Sequence, residues 1–240
     1  YKKMKTLTYG VSPFVLILAS LAGLLLLEPH LSGTLLIFSI GFVMMLVGGT
    51  RLIWFGAAIG LLVAGIASAI IIKPDLVWYA QDRLRYWLDP WQDPLGLGHQ
   101  VIQSIYAIGS GGLFGLGIGN SRQKHLYLPE PQNDFIFAVV CEELGFIGAL
   151  MVIFLFIALM WRGAVIACKA KDRFGSMLVV GIITQVTVQA ALNIAVVTNT
   201  IPNTGISLPF FSYGGTSLMM LLGEMGVVLS VSRQSSINTG

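Results

Sequence analysis

The sequence predicts an all-α polytopic membrane protein, and three observations carry that reading. Apolar residues make up 55% of the chain and charged residues only 10%, whereas about a quarter of a soluble domain is charged. Mean hydropathy is +0.82. Apolar runs also recur at membrane-spanning length, over residues 12–28, 33–49, 53–72, 135–160, 175–199 and 207–231, against the ~17–25 residues a helix needs to cross the hydrocarbon core. Helices are required, because an open strand would leave backbone groups unpaired in lipid.

The elements follow in order. The run 12–28 ends in Glu28-Pro29-His30 with no small-residue cleavage pattern, so it reads as a span and not as a signal peptide. With 33–49 and 53–72 it makes a first group of three spans over 12–72. A long polar, glycine-rich loop occupies 73–134, and 135–232 holds three more spans, the whole of 1–240 forming one membrane domain. Lys2, Lys3, Lys5, Arg51, Arg162, Lys169, Lys171, Arg173 and Arg233 all fall on one face of a six-span topology. The positive-inside rule makes that face cytoplasmic, so 28–32, 73–134 and 199–207 face outward. The net charge of +3 then reflects topology and points to no nucleic acid. The basic stretch 161–174 reads as a cytoplasmic loop that sets orientation.

A loop as long as 73–134 is functional or carries its own helices. Residues 80–91 mix Trp and Tyr with Arg and Asp, which suits an amphipathic helix lying at the interface. Turn residues fill 93–98 and a helix is expected over 99–108. The run 109–119 is dense in glycine, where backbone bends or approaches something closely. Its GxGxxG-like pattern lacks the strand–helix surroundings of a dinucleotide site. Two readings stand: a flexible loop, or a close-packed one whose amides face an anionic ligand. Residues 202–205 and 209–215, with their prolines and glycines, imply broken or re-entrant backbone, tolerated only where protein buries it or it lines a polar cavity.

Asp134 stands where the outer loop re-enters the bilayer, and a charge there is expensive without partners or a task. Glu130 lies four residues earlier, across a turn. Arg83, Arg85, Arg122 and Lys124 are, with Lys73, the cations of the outer face; they suit lipid headgroups, or a diphosphate-bearing lipid that arginine matches in geometry. Two carboxylates beside such cations fit acid/base chemistry on a phosphorylated lipid. Glu142, Glu143 and Glu224 fall inside predicted helices, as functional groups, bundle pairs or an ion path. Cys141 and Cys168 lie at different membrane levels and are not expected to pair. Neither they nor His30, His99 and His125 show metal-ligand spacing.

Several motifs carry a resemblance in order along the chain. They are Leu88-Asp89-Pro90-Trp91-Gln92-Asp93-Pro94 through Gln103-Ser104, Ala107-Ile108-Gly109-Ser110-Gly111-Gly112, Tyr127-Leu128-Pro129-Glu130, Asp134-Phe135-Ile136-Phe137, Glu142-Glu143-Leu144-Gly145 and Leu208-Pro209-Phe210-Phe211-Ser212-Tyr213-Gly214-Gly215. Over essentially its whole length the chain resembles the SEDS family (shape, elongation, division and sporulation). Ser121-Arg122-Gln123-Lys124 and Pro202-Asn203-Thr204-Gly205 are more similar to its FtsW/SpoVE branch than to its RodA branch. It departs from the family pattern at Leu126, at Gln132-Asn133 and at His30.

The resemblance implies the last six helices of a ten-helix fold, with 73–134 as an extracytoplasmic loop carrying short helices. It implies a multi-pass protein of the bacterial cytoplasmic membrane. Such a protein polymerises lipid II, an undecaprenyl-diphosphate-linked disaccharide peptide, into glycan strands during division or sporulation. Its implied partner is a class B penicillin-binding protein. The family's loop aspartate maps onto Asp134, as general base of an inverting single displacement. Gln103, Ser104, Glu130, Ser212 and Tyr213 lie in the matching motifs as substrate contacts. Arg83, Arg85 and Lys124, or a divalent cation (magnesium or manganese) travelling with the lipid diphosphate, are the candidates to neutralise the leaving group. No resident metal and no organic cofactor is implied. A flippase for the same lipid, using Glu143, Gln185, Gln189, Asn193 and Glu224, and a non-catalytic scaffold for the penicillin-binding protein are the competing readings.

Overall fold

A computed structural model describes residue 6 and residues 11–27, 31–51, 53–56, 85–96, 98–123 and 132–236. All regular structure among the described residues is helical. The chain divides into two compact units, Tyr1–Arg85 and Tyr86–Gly240.

In the first unit, α1 (Ser12–Leu27) packs on α2 (Leu31–Val47). The absence of a side chain at Gly41 lets Leu18 lie against the α2 backbone, since a Cβ there would sit 2.7 Å from the leucine methyls. Val11, Met45 and Phe55 form a small core, with Phe42 and Phe55 edge to face at 4.6 Å. Both helices match the runs expected at 12–28 and 33–49. The expected span at 53–72 is helical over 53–56 and otherwise lies outside the described residues.

The second unit contains α3 (His99–Gly111), α4 (Ile136–Lys169), α5 (Arg173–Val197) and α6 (Gly215–Ser236). The last three are each long and apolar enough to cross a membrane, which gives a multi-pass architecture. α4, α5 and α6 pack on one another, and α3 packs on the start of α4. At one end the core joins Ala107, Phe135, Phe137, Ala138, Ala190, Val197 and Leu208. At the other end Ala167, Val179, Ile183 and Val228 meet. There Gly163 lets α4 and α5 touch, because a Cβ would stand 2.3 Å from Ile183.

Two helix boundaries differ from expectation. α4 runs to Lys169, so the loop expected over 161–174 shrinks to a turn, and Arg162 rides on the helix. Hydropathy marks where lipid ends, whereas a helix ends where its hydrogen bonds do. The turn closes on Asp172, whose carboxylate caps α5 by accepting from Gly175 N at 3.1 Å. At the other end, α6 starts at Gly215 and not at 207. Pro209 lacks a donor and Phe210 sits at φ 66, so 207–214 folds as a turn in which Phe211 N and Ser212 N both reach Leu208 O.

Of the interfacial helix expected over 80–91, residues 85–88 are helical and Pro90–Gln92 form a single 3-10 turn capped by Asp89. Residues 80–84 lie outside the described residues. Asp93 closes the next turn by accepting from Gly96 N at 3.0 Å.

Candidate functional site

Three consecutive backbone carbonyls lead into α4, two held by the turn at 207–214 and the third by α5. Tyr213 N donates to Gln132 O at 2.8 Å. Ser212 Oγ donates to Asn133 O at 2.6 Å while accepting from Leu208 N at 2.7 Å. Asn193 Nδ2, fully buried on α5, donates to Asp134 O and to Ile206 O, both at 2.7 Å. The next residue, Phe135, is buried and begins the core. The Asp134 backbone is therefore fixed on one side, and its half-buried carboxylate lies beside Gly205, where a Cβ would be 3.6 Å from Oδ2. Gly205 has φ 68, a left-handed conformation that favours glycine, and its N–H is held by Asn203 Oδ1 at 3.0 Å. Asp134 also sits just before the N-terminus of α4, where the helix dipole favours a negative charge.

The rest of the outer segment is tied to the same support. Asn203 Nδ2 reaches Gln100 Oε1 on α3 at 3.1 Å. Trp87 Nε1 donates to Asn199 O at 3.0 Å and Asn199 Nδ2 returns to Trp87 O at 3.4 Å. Asn199 ends α5 at φ 55, a position open to Asn as well as Gly. Gln189 Nε2 holds Ser207 through its carbonyl and its hydroxyl at 3.2 and 3.3 Å.

α4 itself is broken at Gly145, which has φ 69 and ψ −169. In an unbroken helix Phe146 N and Ile147 N would reach the carbonyls of Glu142 and Glu143. Here those amides donate to Gly112 O at 2.9 Å and Leu113 O at 3.3 Å. The two freed carbonyls accept from Leu116 N at 2.9 Å and Gly117 N at 3.0 Å. The glycine-rich loop thus replaces both missing helical bonds. Of the two readings of 109–119, the close-packed loop matches this arrangement, but the amides of Leu116 and Gly117 face α4 carbonyls and not an anionic ligand. Below the splice, the buried Glu142 carboxylate accepts from Ser121 Oγ at 2.5 Å and from Arg122 N at 3.0 Å.

A family model described as cell cycle protein, covering FtsW, RodA and SpoVE, matches residues 1–237. The chain belongs to the FtsW/RodA/SpoVE family. It is 46% identical over 235 residues to stage V sporulation protein E of Bacillus subtilis, covering 98% of this chain and 63% of that protein. To the probable peptidoglycan glycosyltransferase FtsW of Trichlorobacter lovleyi it is 39% identical, covering 96% of this chain and 59% of that one. Among solved structures, a chain from work on coordinated polymerization and crosslinking by a peptidoglycan synthase complex matches with a TM-score of 0.74 and 30% identity, over 95% of this chain and 63% of that one. The chain spans roughly six tenths of the length of these relatives.

Within this member of the FtsW/RodA/SpoVE family, the predicted site residues separate into four groups. Asp134, Ser212 and Tyr213 come together through the backbone tethers above. Tyr213 keeps its ring exposed, while the Ser212 hydroxyl is used by the turn. Gln103 and Ser104 lie on α3, and there Ser104 is fully buried with its hydroxyl on Val197 O at 2.7 Å. It joins α3 to α5 and presents no group to a ligand. Arg85 closes the first unit. Arg83, Lys124 and Glu130 lie outside the described residues.

The competing flippase reading rests on Glu143, Gln185, Gln189, Asn193 and Glu224, and the structure gives Gln185, Gln189 and Asn193 each a tether. The signal was their spacing of four, which puts them on one face of α5. Gln185 Nε2 binds the Glu224 carboxylate on α6 at 3.2 Å, Gln189 binds Ser207, and Asn193 binds the segment carrying Asp134. Cys141 and Cys168 are both free thiols at separate points of α4. Replacing Asn193 by leucine, close to it in size, leaves two buried carbonyls without donors, at about 1–3 kcal/mol each. Asn193→Leu should therefore lower the unfolding midpoint clearly, as read by tryptophan fluorescence in detergent.

Proposed function

We propose that this chain is the part of a peptidoglycan glycosyltransferase that carries its base. Its substrate is lipid II, polymerised into glycan strands at the outer face of the bacterial cytoplasmic membrane during division or sporulation. The observation behind this reading is the clamp on 132–134, which fixes the backbone through three carbonyls and so sets the position of the Asp134 carboxylate beside Gly205.

Asp134 removes the proton from the acceptor sugar's 4-hydroxyl. That oxygen forms a bond to C1 of the donor sugar, and the bond from C1 to the diphosphate oxygen breaks. The polyprenyl diphosphate departs with the electron pair. One displacement inverts the donor's α linkage to β, and a single base suffices because diphosphate leaves without an acid. A positioned base is worth about 10²–10⁴-fold, and its value depends on being held at hydrogen-bond reach. A magnesium or manganese ion would be carried mainly by substrate phosphates, as such ions commonly are. That ion would supply charge neutralisation at the diphosphate. Arg83, Arg85 and Lys124 are the candidates for the same task. A class B penicillin-binding protein is the proposed partner, in line with the synthase complex that the chain resembles.

The deciding experiment follows glycan strands made from labelled lipid II by the full-length protein with its partner, comparing wild type with Asp134→Asn. Loss of polymer with folding and partner binding intact supports the assignment, and undiminished polymer removes it.

A further inference from the structure

We propose that residues 112–119 form a membrane wedge, their apolar side chains seated among the acyl chains of the outer leaflet. Every side chain in Gly112-Leu113-Phe114-Gly115-Leu116-Gly117-Ile118-Gly119 that is not glycine is apolar. Folding leaves them outward: Phe114 is 81% exposed, Ile118 83% and Leu113 63%. In water such a cluster is an aggregation liability.

The depth of the loop follows from its bonds to α4. Gly112 O and Leu113 O are bonded to Phe146 N and Ile147 N. The side chains of those two residues open the outward apolar band of α4, which continues through Leu150, Met151, Phe154, Leu155 and Ile157 to Trp161. Residues 135–142, in contrast, are largely buried against protein. At about 1.5 Å of rise per residue, the band 146–161 covers roughly 24 Å, most of the ~30 Å hydrocarbon core, so its first turn lies within that core and not beyond it. The loop is therefore level with the first lipid-facing turn of α4 and continuous with that surface. The opposite end of α4 carries Lys169, Lys171 and Arg173 at its turn, which assigns the loop to the outer leaflet.

The backbone supplies a second, independent argument. Irregular chain is tolerated in the hydrocarbon region only when protein satisfies its polar groups. Besides the four bonds of the splice, Gly115 N reaches Gly111 O at 2.8 Å. Leu116 O accepts from Asn120 Nδ2 at 3.1 Å, and Gly117 O from Asn120 N at 3.1 Å. Gly112 O, Leu113 O, Gly115 N and both backbone groups of Leu116 and Gly117 are thus satisfied by protein, while the apolar side chains turn outward, as lipid contact demands. The glycines make this possible by letting the chain close onto α4. The wedge stands apart from the reaction proposed above and is tested without it.

The test uses full-length protein in phosphatidylglycerol and phosphatidylethanolamine nanodiscs, with Cys168→Ser removing the exposed thiol. Bimane is attached singly at Phe114→Cys or Ile118→Cys. Ile147→Cys serves as the lipid-facing reference and Lys171→Cys as the aqueous one. Both loop labels should shift to the blue of the Lys171 site and be quenched by doxyl lipids as strongly as the label at 147, with iodide quenching lost. Iodide quenching equal to that at 171 would place the loop in water and overturn the wedge. Protection from both quenchers would show it covered by a second copy or another protein, which overturns it equally. Both positions are outward, so labelling removes little packing, and agreement between them guards against one misfolded variant.

Discussion

Asp134→Asn should lower glycan-strand formation by about 10²–10⁴-fold while leaving the unfolding midpoint nearly unchanged. The separation is expected because Asn193, Ser212 and Tyr213 bind the backbone of 132–134 and not the carboxylate. Asparagine preserves those bonds and the side-chain volume but cannot take up a proton. The deficit belongs in kcat, since a base acts in the transition state and contributes little to ground-state binding. The same variant sorts the competing readings. A flippase would keep moving lipid with Asp134→Asn and lose more from changes at Gln185 or Glu224. A scaffold would show no defect at all. Asn193→Leu provides the contrast, because it should reduce stability and rate together.

The second large effect is structural. Gly145→Ala should destabilise the protein by about 3 kcal/mol or more, because it combines a backbone conformation essentially reserved for glycine with a steric conflict. A Cβ at Gly145 would stand 2.3 Å from Gly115 N. Gly115→Ala meets the mirror problem, with φ 78 and a Cβ 2.1 Å from Glu143 O. Since both break one splice, the double variant should lose far less than the sum of the singles. Gly109→Ala is the control: its Cβ would meet nothing within 4 Å, and alanine in a helix is slightly favourable. Thermal unfolding followed by tryptophan fluorescence compares the four proteins. Equal midpoints for Gly109→Ala and Gly145→Ala would mean that the break in α4 has been misread.

Much of the membrane architecture was legible in the sequence, because spanning helices must be apolar over a length set by the bilayer. That rule placed α1, α2 and α5 closely. It was blind to the continuation of α4 past Trp161, where Arg162 and Lys169 end the apolar pattern without ending the helix. Asp134 was legible through its motif. Its clamp was not, since the donors sit on α5 and beyond, and a buried Asn or Gln in a sequence does not reveal which carbonyl it serves. The glycine run announced an unusual backbone, yet its partner lay some thirty residues downstream, beyond the reach of any local rule. Ser104 shows the same limit, since its motif places it among ligand contacts and does not reveal that its hydroxyl joins two helices.

The clamp also has a history in time. During synthesis the glycine loop emerges before α4, so the break at Gly145 has its complement waiting when that helix enters the membrane. The carbonyls of 132–134 have no such advantage. Asn193, Ser212 and Tyr213 leave the ribosome later, and chains build their structure from the N-terminus onward. Asp134 is therefore made early and set late: the donors that hold its backbone arrive only with the final helices.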